Sequence, residues 1–295
     1  MEIIVNSSTM GKLIIKEIPK ELAKEICIKY HYSHKWNILF GKINIGIFQE
    51  GIEECLGVAV FGYMMQQSCY PKYGLKDKEE ILELNRMWID DRLGKNAESI
   101  LISKSFKIIK QIAPHVKIIQ SFADGRLGCG TIYKATNFRY FGCVTTDFMI
   151  DEKGNISTVG QLRNTHKLHR MILEHKKILN GNVKFFKVKS YRYLYPLRKG
   201  ALKGVQMTEK PYPQYDKGME EYTRDRKIKE LMRCYIGCII FNLKDDEEVF
   251  YKEIKSEIKV ETIIEEVQTN TTIKNIIRTN RKTVEDIIEY LNNNY

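Results

Sequence analysis

The sequence predicts an α+β fold, with a mixed central β-sheet flanked by helices and a helical C-terminal extension. Strand-like and helix-like patterns alternate over the first 150 residues, which is typical of helices packed on a mixed sheet. Beyond residue 219 the chain becomes helix-rich and mixed in charge. We therefore expect one domain over residues 1–210 and a helix-rich extension of unassigned role over residues 219–295.

The first predicted elements are a strand, a helix and a hairpin. Residues 12–18 read as a strand, and residues 19–30 read as a helix, because Pro19 sits in its first turn and apolar residues recur at helical spacing. Alternation from 42 to 49 and an apolar run from 55 to 63 predict the hairpin.

The second half of this domain continues the alternation. Residues 64–78 show no clear period and are predicted as a loop. The further predicted elements are a strand at 80–89, a helix at 97–113, a strand at 115–123, a short helix at 130–138 and a strand at 139–150. The resulting order is β-α-β-β-β-α-β-α-β.

Charge and cysteine content restrict the class of protein. The chain carries 48 Lys and Arg against 37 Asp and Glu, which gives a net charge of +11. This excess indicates a polyanionic partner, such as nucleic acid or a phosphate-bearing cofactor, or else a lysine-rich surface without a partner. The 7 cysteines are irregularly spaced, so we expect no disulfide framework and a reducing cytoplasm. We expect neither a signal peptide nor a membrane span.

The most basic segment covers residues 161–204. It holds twelve Lys or Arg and a single acid, Glu174, with aromatic residues interleaved. Its leading half is predicted as a helix and its trailing half as a strand. Basic groups neutralise phosphates and aromatic rings stack on exposed bases, so the segment favours nucleic acid; the alternative is a strand with a solvated basic face. The candidate DNA-binding residues here are Arg163, Lys167, Arg170, Lys187, Lys189 and Arg192.

The loop at 93–99, "LGKNAES", joins a predicted strand to a predicted helix. The first N–H groups of a helix have no partner within the helix, and together with Lys95 they favour an anion. GNAT acyltransferases hold the pyrophosphate of coenzyme A at such a loop, and the element order here is similar to theirs. The alternative is an ordinary helix start with Asn96 as its N-cap.

Two clusters collect polar and reactive side chains. The first, "KYHYSHKW" at 29–36, places His31 and His34 three residues apart, as metal ligands or general bases, or else as part of a solvated loop. The second, "SFADGRLGCGTIYKATNFRYFG" at 121–142, combines an acid, a thiol, a tyrosine and four glycines. A simple connection does not need so many glycines, so this segment predicts part of a site.

Both clusters, together with "ELNRMWIDDRLGKNAESILISKSFKIIKQ", resemble the Mom proteins of bacteriophages, over about residues 28–215. The resemblance implies a GNAT-like catalytic domain, encoded by a phage or prophage. It implies conversion of adenine in double-stranded DNA to N6-carbamoylmethyladenine, which shields the DNA from restriction enzymes. A donor such as acetyl-CoA or a related CoA thioester is implied, and bound iron has been proposed for the family.

The resemblance also implies roles for individual residues. The implied catalytic residues are His31, Tyr32, Ser121, Asp124 and Tyr133. The implied cofactor-binding residues are Arg86, Lys95, Asn96, Ala97, Glu98 and Ser99. A metal would be held by His31, Asp124 and Tyr133, and the aromatic rings of Trp36 and Tyr32 would hold a flipped adenine. From its residue type, Cys129 is expected to be a small apolar filler beside the pocket; the alternative is a part in the chemistry.

Two other functions stay open at this point. One is a GNAT N-acyltransferase that acts on a different amine. The other is a non-catalytic DNA-binding relative. Whether the chain dimerises is also open.

Overall fold

The structure is a computed structural model that describes residues 1–7, 10–158, 182–214 and 218–294. Residue contacts divide the chain into a first unit, Met1–Thr145 with Lys189–Gly218, and a second unit, Thr146–Val188 with Met219–Tyr295. Residues 146–188 were expected in the first domain, whereas the contacts group them with the C-terminal residues.

The first unit is built on a mixed sheet. Its strands are β1 (Glu2–Ser7), β2 (Gly11–Glu17), β3 (Ile43–Gln49), β4 (Gly57–Gly62), β5 (Ile81–Ile89) and β6 (Ile118–Asp124), with parts of β7 (Arg139–Ile150) and β9 (Lys184–Pro196). The strand order is β1-β2-β3-β4-β5-β6-β9-β7. Strands β1 to β5 pair antiparallel, β5 and β6 pair parallel, and β6 and β9 pair antiparallel. The predicted mixed sheet is confirmed, and β1 was not predicted.

Helices cover both faces of this sheet. The helices are α1 (Lys20–Tyr30), α2 (Ala97–Ile112) and α3 (Thr131–Ala135), and the predicted loop at 64–78 contains a 3-10 turn, Gln67–Tyr73. Successive residues of a strand point to opposite faces. In β4, Val58 and Val60 pack with α1, while Ala59 and Phe61 pack with α2. The two longer helices therefore lie on opposite faces.

Strands β5 and β6 part soon after they pair. Their paired residues are Ile81 with Ile118, Leu82 with Ile119 and Glu83 with Gln120, although β5 continues to Ile89 and β6 to Asp124. On its other side β6 stays paired with β9 as far as Asp124 and Ser190. A gap therefore opens between the C-terminal halves of β5 and β6.

The second unit holds the remaining elements. The end of β7 pairs with β8 (Ile156–Thr158), and the start of β9 pairs with β10 (Met219–Glu221). Among its described residues, the helices are α4 (Thr223–Phe241), α5 (Lys244–Ile254), α6 (Val260–Thr269), α7 (Thr271–Thr279) and α8 (Val284–Asn294). They share an apolar core that includes Cys234 and Cys238.

Two sequence predictions concern the basic segment. Its trailing half forms β9, so the strand prediction is confirmed. Its leading half, with Arg163, Lys167 and Arg170, lies outside the described residues. In the part of the chain that the structure describes, no helix has the length and apolar character to cross a bilayer.

A buried ion pair in the second unit provides a test of the fold. Arg226 Nη2 lies 2.5 Å from Glu230 Oε1, and their side chains are only 6% and 5% exposed. Arg226 also lies 3.5 Å from Asp147, but this acid is partly exposed, so removal of Glu230 leaves the buried Arg226 charge only partly compensated. We expect Glu230→Ala to lower the free energy of unfolding by about 3–5 kcal/mol.

Urea denaturation followed by circular dichroism measures this change. Glu248→Ala is the matched control, because its partner Lys252 and Glu248 itself are both well exposed. We expect the control to change stability by less than about 0.5 kcal/mol. Equal effects of the two substitutions would contradict the prediction.

Candidate active site

The loop after α1 holds His31 in a fixed, neutral state. The helix ends at Tyr30, and the Ser33 N–H donates to His31 Nδ1 over 3.1 Å. The neutral imidazole therefore carries its proton on Nε2. His31 is buried, and burial, reinforced by the nearby charges of Arg86 and His34, lowers the pKa of His31 to about 4. The ring is uncharged near neutral pH.

Asp124, at the end of β6, is held in a network of donors. Its Oδ1 accepts from the Arg126 backbone N–H over 3.0 Å, and its Oδ2 lies 2.5 Å from Arg126 Nη2. Burial opposes ionisation, but the hydrogen bonds from Arg126 outweigh it and hold the pKa of Asp124 below its ordinary value. A carboxylate this well satisfied is a weak base.

Tyr32 also contacts Asp124. Its hydroxyl donates to Asp124 Oδ2 over 3.3 Å, and its ring lies against the His31 ring with 4.3 Å between centroids. Burial of the hydroxyl and the Asp124 charge raise the pKa of Tyr32 to about 12. Tyr32 is therefore a neutral phenol that donates its proton, and 52% of the residue is exposed to solvent.

Ser121 and Tyr133 form a second pair, on the other face of β6. Ser121 Oγ lies 2.8 Å from Tyr133 Oη and 3.1 Å from the Leu84 carbonyl oxygen, just beyond the last paired rung of β5 and β6. Burial raises the pKa of Tyr133, although the hydrogen bond with Ser121 opposes this. The pairs Ser121–Tyr133 and Tyr32–Asp124 thus flank the gap from opposite faces, since Ser121 and Asp124 differ by an odd number of strand positions.

Gly130 lets the backbone of this segment pack against aromatic rings. Gly130 has a φ of +89°, and a Cβ there would lie 2.8 Å from the Tyr193 ring and 2.9 Å from Tyr133. The Tyr193 hydroxyl donates to the Cys129 carbonyl, and its ring stacks on Tyr133 with 4.9 Å between centroids. Cys129 itself is partly buried at the edge of the core, in keeping with its expected role as a filler.

The predicted cofactor loop lies at the start of α2. Asn96 precedes the helix with a φ of 74°, and its side chain makes no capping hydrogen bond, unlike an ordinary N-cap. Lys95 and Asn96 are exposed, Ala97 is buried, and Glu98 and Ser99 are partly exposed in the first turn. The first N–H groups of α2 are therefore not capped by Asn96 and suit an anion.

A cavity of about 410 Å³ runs beside α2. It lies between α2 and the turn after α3. The residues that line it are Ser99, Ile100, Ser103, Phe106, Lys107, Lys110, Ala135, Thr136, Asn137 and Tyr195.

We call the loop after α1 that carries His31 the histidine loop, and Arg86 and Trp36 lie at this loop. Arg86 Nε donates to the Lys35 carbonyl over 3.4 Å, and its guanidinium lies 4.6 Å from the centre of the Phe40 ring. The family resemblance implied that Arg86 is a cofactor-binding residue. Trp36 packs edge-on against Phe40 with 5.8 Å between centroids and is partly buried. Its role as a stacking surface for a base stays a prediction.

The residues implied as metal ligands do not fit a metal site as they stand. His31 Nδ1 accepts from Ser33, Asp124 is bound to the Arg126 guanidinium, and Tyr133 lies on the opposite face of β6. Within the described ranges, no three His, Cys, Asp or Glu side chains cluster as metal ligands. We therefore assign no metal to His31, Asp124 and Tyr133.

The candidate DNA-binding residues on β9 differ in their surroundings. Lys187 Nζ lies 4.7 Å from the centre of the Tyr222 ring, and the Lys189 backbone N–H donates to the Gly218 carbonyl over 2.7 Å. Arg192 lies over the Phe122 ring at 5.4 Å, and its Nε is buried without a hydrogen-bond partner in the described residues. Arg192 thus faces inward, beside the gap.

A second cavity, of about 610 Å³, is strongly basic; we call it the basic cavity. It was not anticipated from sequence, because its residues come from separate segments. The basic side chains that line it are Lys110, Arg139, Arg198, Lys199 and Lys203, with Glu209 as the acid. Glu209 pairs with Arg139 over 3.3 Å. The cavity therefore suits a phosphate-bearing polyanion.

Other residues at the site were also not singled out from sequence. Arg126 follows Asp124 at a spacing typical of an Asx turn, and that local pattern was available. Glu83 is the one acid in the strand sequence "ILELNRMWI". Its importance depends on its neighbour Gln120 in β6, which only the tertiary structure reveals.

The state of His31 can be tested by titration. We expect the His31 ring signals in NMR spectra to titrate with a midpoint at about pH 4. His31→Gln identifies the signals, and a midpoint near the ordinary value of about 6.5 would contradict the prediction. Because the unfolded chain binds this proton first, wild-type stability should fall as the pH drops from about 6.5. The His31→Gln variant should lose less stability over the same fall in pH.

A curated phage protein is similar to part of this chain. Methylcarbamoylase mom of Escherichia phage Mu is 33% identical over 139 residues, which is 46% of this chain and 56% of that protein. The matched region thus spans just over half the length of that relative.

Solved structures with a similar arrangement include acetyltransferases. One, from Desulfovibrio desulfuricans and assigned to the GNAT family, has a TM-score of 0.35 with 6% identity, over 63% of this chain and 99% of that one. The polyamine N-acetyltransferase of Drosophila melanogaster has a TM-score of 0.35 with 8% identity, over 62% of this chain and 99% of that one. Similarity at this level says nothing of function.

The family profile covers most of the first unit. The Mom protein family matches residues 12–214, a range that contains the histidine loop, the cofactor loop and both residue pairs. The chain therefore belongs to the Mom protein family.

Proposed function

We propose that this protein is a DNA-modifying transferase that alters adenine at N6, with a CoA thioester as donor and N6-carbamoylmethyladenine as product. The observation that carries the proposal is the placement of Tyr32–Asp124 and Ser121–Tyr133 on two sides of one gap, in a chain of the Mom family. Protection of DNA from restriction enzymes would follow from the altered base.

The donor side of the site would be the face that carries α2. The uncapped start of α2 and Lys95 suit a pyrophosphate, and the neighbouring cavity contains Lys107 and Lys110. From there a thioester would enter the gap between β5 and β6. The Ser121–Tyr133 pair would then offer a hydroxyl proton to the oxygen or sulfur that gains negative charge.

The acceptor side would be the face that carries Asp124. An adenine must leave the base stack to reach it, at a cost of roughly a few kcal/mol. Tyr32 is exposed enough to meet the base, and Asp124 and Arg126 fix the orientation of its hydroxyl. Asp124 would act by position and charge, because its low pKa makes it a weak base.

The proposed carbamoylmethyl product needs a different new bond from the amide that simple acyl transfer would leave. The lone pair of the adenine amine is delocalised into the ring, so this amine is a poor nucleophile. Transfer of an acyl group would leave an amide, whereas a carbamoylmethyl product needs a bond from nitrogen to the methyl carbon of the donor. The described residues supply the proton donors for acyl transfer, so N-acylation is the second candidate.

DNA is the proposed polyanionic partner. The net charge of +11 and the basic cavity favour a phosphate backbone. Lys199 and Lys203 are exposed at this cavity and form no ion pair with an acid in the described part of the chain.

The mass of the product tests the reaction. The protein is expressed with a reporter plasmid, and the plasmid is digested to nucleosides for mass spectrometry. We expect N6-carbamoylmethyladenine with the wild type and a loss of at least about 100-fold with Asp124→Asn and with Tyr133→Phe.

Asp151→Asn, in an exposed turn of the second unit, is the matched control and should retain full modification. A different mass on adenine or on another amine would favour N-acylation. Unmodified DNA from well-folded wild type would contradict the proposal, and full modification by both site variants would contradict the assigned roles.

Charge reversal tests the proposed partner. We expect Lys199→Glu with Lys203→Glu to raise the KM for DNA at least about 10-fold and to weaken its dependence on salt, because phosphate contacts release counterions. The value of kcat should not change. Lys153→Glu with Lys274→Glu, both exposed in the second unit, makes the same change in net charge as a control. Equal effects of the two double variants would contradict a specific DNA contact.

A further inference from the structure

One carboxyl group at the gap has no place in the mechanism above. Glu83 is partly buried in β5, and it pairs with Gln120 at the last rung before the strands part. Gln120 Nε2 donates to Glu83 Oε2 over 2.9 Å, so the two side chains share a face of the sheet. Gln120 and Asp124 are four residues apart in β6 and therefore also share that face. Glu83 thus lies at the base of the gap, on the proposed acceptor side.

Amide groups hold Glu83 in place without neutralising it. Asn85 Nδ2 donates to Glu83 Oε1 over 3.1 Å, and Gln120 is itself oriented by a hydrogen bond from the Tyr73 hydroxyl. No cation lies within ion-pair distance of Glu83 in the residues that the structure describes. This arrangement fixes the carboxyl while leaving lone pairs for a further proton.

The charges that face Glu83 come from several elements. They are Arg86 on β5 and Arg192 on β9, with the hydroxyls of Tyr73 and Tyr133 nearby. Burial raises the pKa of Glu83, and the two amides and the two arginines offset only part of this effect. Glu83 therefore holds a proton more readily than an ordinary glutamate.

The other titratable groups beside the gap are weaker bases. Arg126 lowers the pKa of Asp124 against the effect of burial, and the pKa of His31 lies at about 4 with its Nδ1 bound to Ser33. A base works best when its pKa approaches the working pH. Of these three groups, Glu83 meets that condition best.

We propose that Glu83 takes up the proton that the acceptor amine loses in the proposed function, on which this inference rests; N-acylation, the second candidate, breaks the same N–H bond. Written for that acyl transfer, the electron pair of the amine nitrogen forms the new N–C bond to the donor carbonyl carbon. The C–S bond of the thioester breaks, and its electron pair leaves with the CoA thiolate. One N–H bond of the amine breaks, its electron pair stays on nitrogen, and the proton moves to a carboxylate oxygen of Glu83.

The variant Glu83→Gln separates this role from a structural one. Glutamine has the same shape and keeps an oxygen that accepts a hydrogen bond, but it cannot take up a proton at neutral pH. A structural residue would tolerate this change, whereas a base would not. Glu83→Asp keeps the carboxyl group at a shorter reach and should restore part of the rate.

The experiment uses the full chain in two assays. The first measures modified nucleosides in a reporter plasmid from cells that express each variant. The second measures the rate at several pH values after the same plasmid, in unmodified form, is added to clarified lysate of those cells, which supplies the cell's own donors. Glu79→Gln is the matched control, because this glutamate lies near the start of β5 with an exposed side chain.

We expect Glu83→Gln to lose at least about 100-fold in rate, with a melting temperature close to that of the wild type and Glu79→Gln fully active. The wild-type rate should fall at acid pH as Glu83 becomes protonated, and the residual rate of Glu83→Gln should lack this fall. Unaltered rate and pH profile in Glu83→Gln would overturn the role of Glu83 alone. Unmodified DNA with the wild type would overturn the proposed function, and the role of Glu83 with it.

Discussion

The loss of pairing between β5 and β6 beyond Glu83 and Gln120 is the constraint on which the site depends. Strand β6 cannot move back to close the gap, because β9 holds it along its whole length. Backbone groups at the gap lack strand partners and must find others. Ser121 supplies one such partner, because its hydroxyl donates to the Leu84 carbonyl. In this position the Ser121 hydroxyl also contacts the Tyr133 hydroxyl.

The two faces of β6 carry different polar groups of the candidate site. Alternation along a strand puts Ser121 on the face of α2, and Gln120 and Asp124 on the other face. In the proposed reaction, donor recognition and acceptor recognition would be separated by a single layer of backbone, and the gap would be the passage between them. A sheet without the gap would keep the two proposed substrates apart.

Much of this fold is predictable from sequence because periodic patterns mark its elements. The strands at 12–18, 80–89 and 139–150 and the helices at 19–30 and 97–113 are all present, within a few residues of their predicted ends. Strand β1 was missed because the short N-terminal alternation gives little signal by itself. The histidine, aspartate and tyrosine of the site were found through family resemblance, whereas the positions of Arg86, Arg192 and Glu83 depend on strand pairing between distant segments. The basic cavity could not be predicted for the same reason.

Ser121 has one hydroxyl proton and two acceptors within reach, the Leu84 carbonyl and the Tyr133 hydroxyl. This limits when Tyr133 can donate its own proton to a ligand. While Ser121 donates to the Leu84 carbonyl, Tyr133 must give its own proton to Ser121 and has none to offer a ligand. Freeing the Tyr133 proton requires Ser121 to turn away from Leu84, which costs about 1–3 kcal/mol for a buried carbonyl left without that bond. A hydrogen bond to a neutral carbonyl oxygen is too weak to offset this cost, whereas a hydrogen bond to an oxygen that carries developing negative charge is stronger. The hydroxyl pair would therefore respond to the transition state more strongly than to the bound substrate.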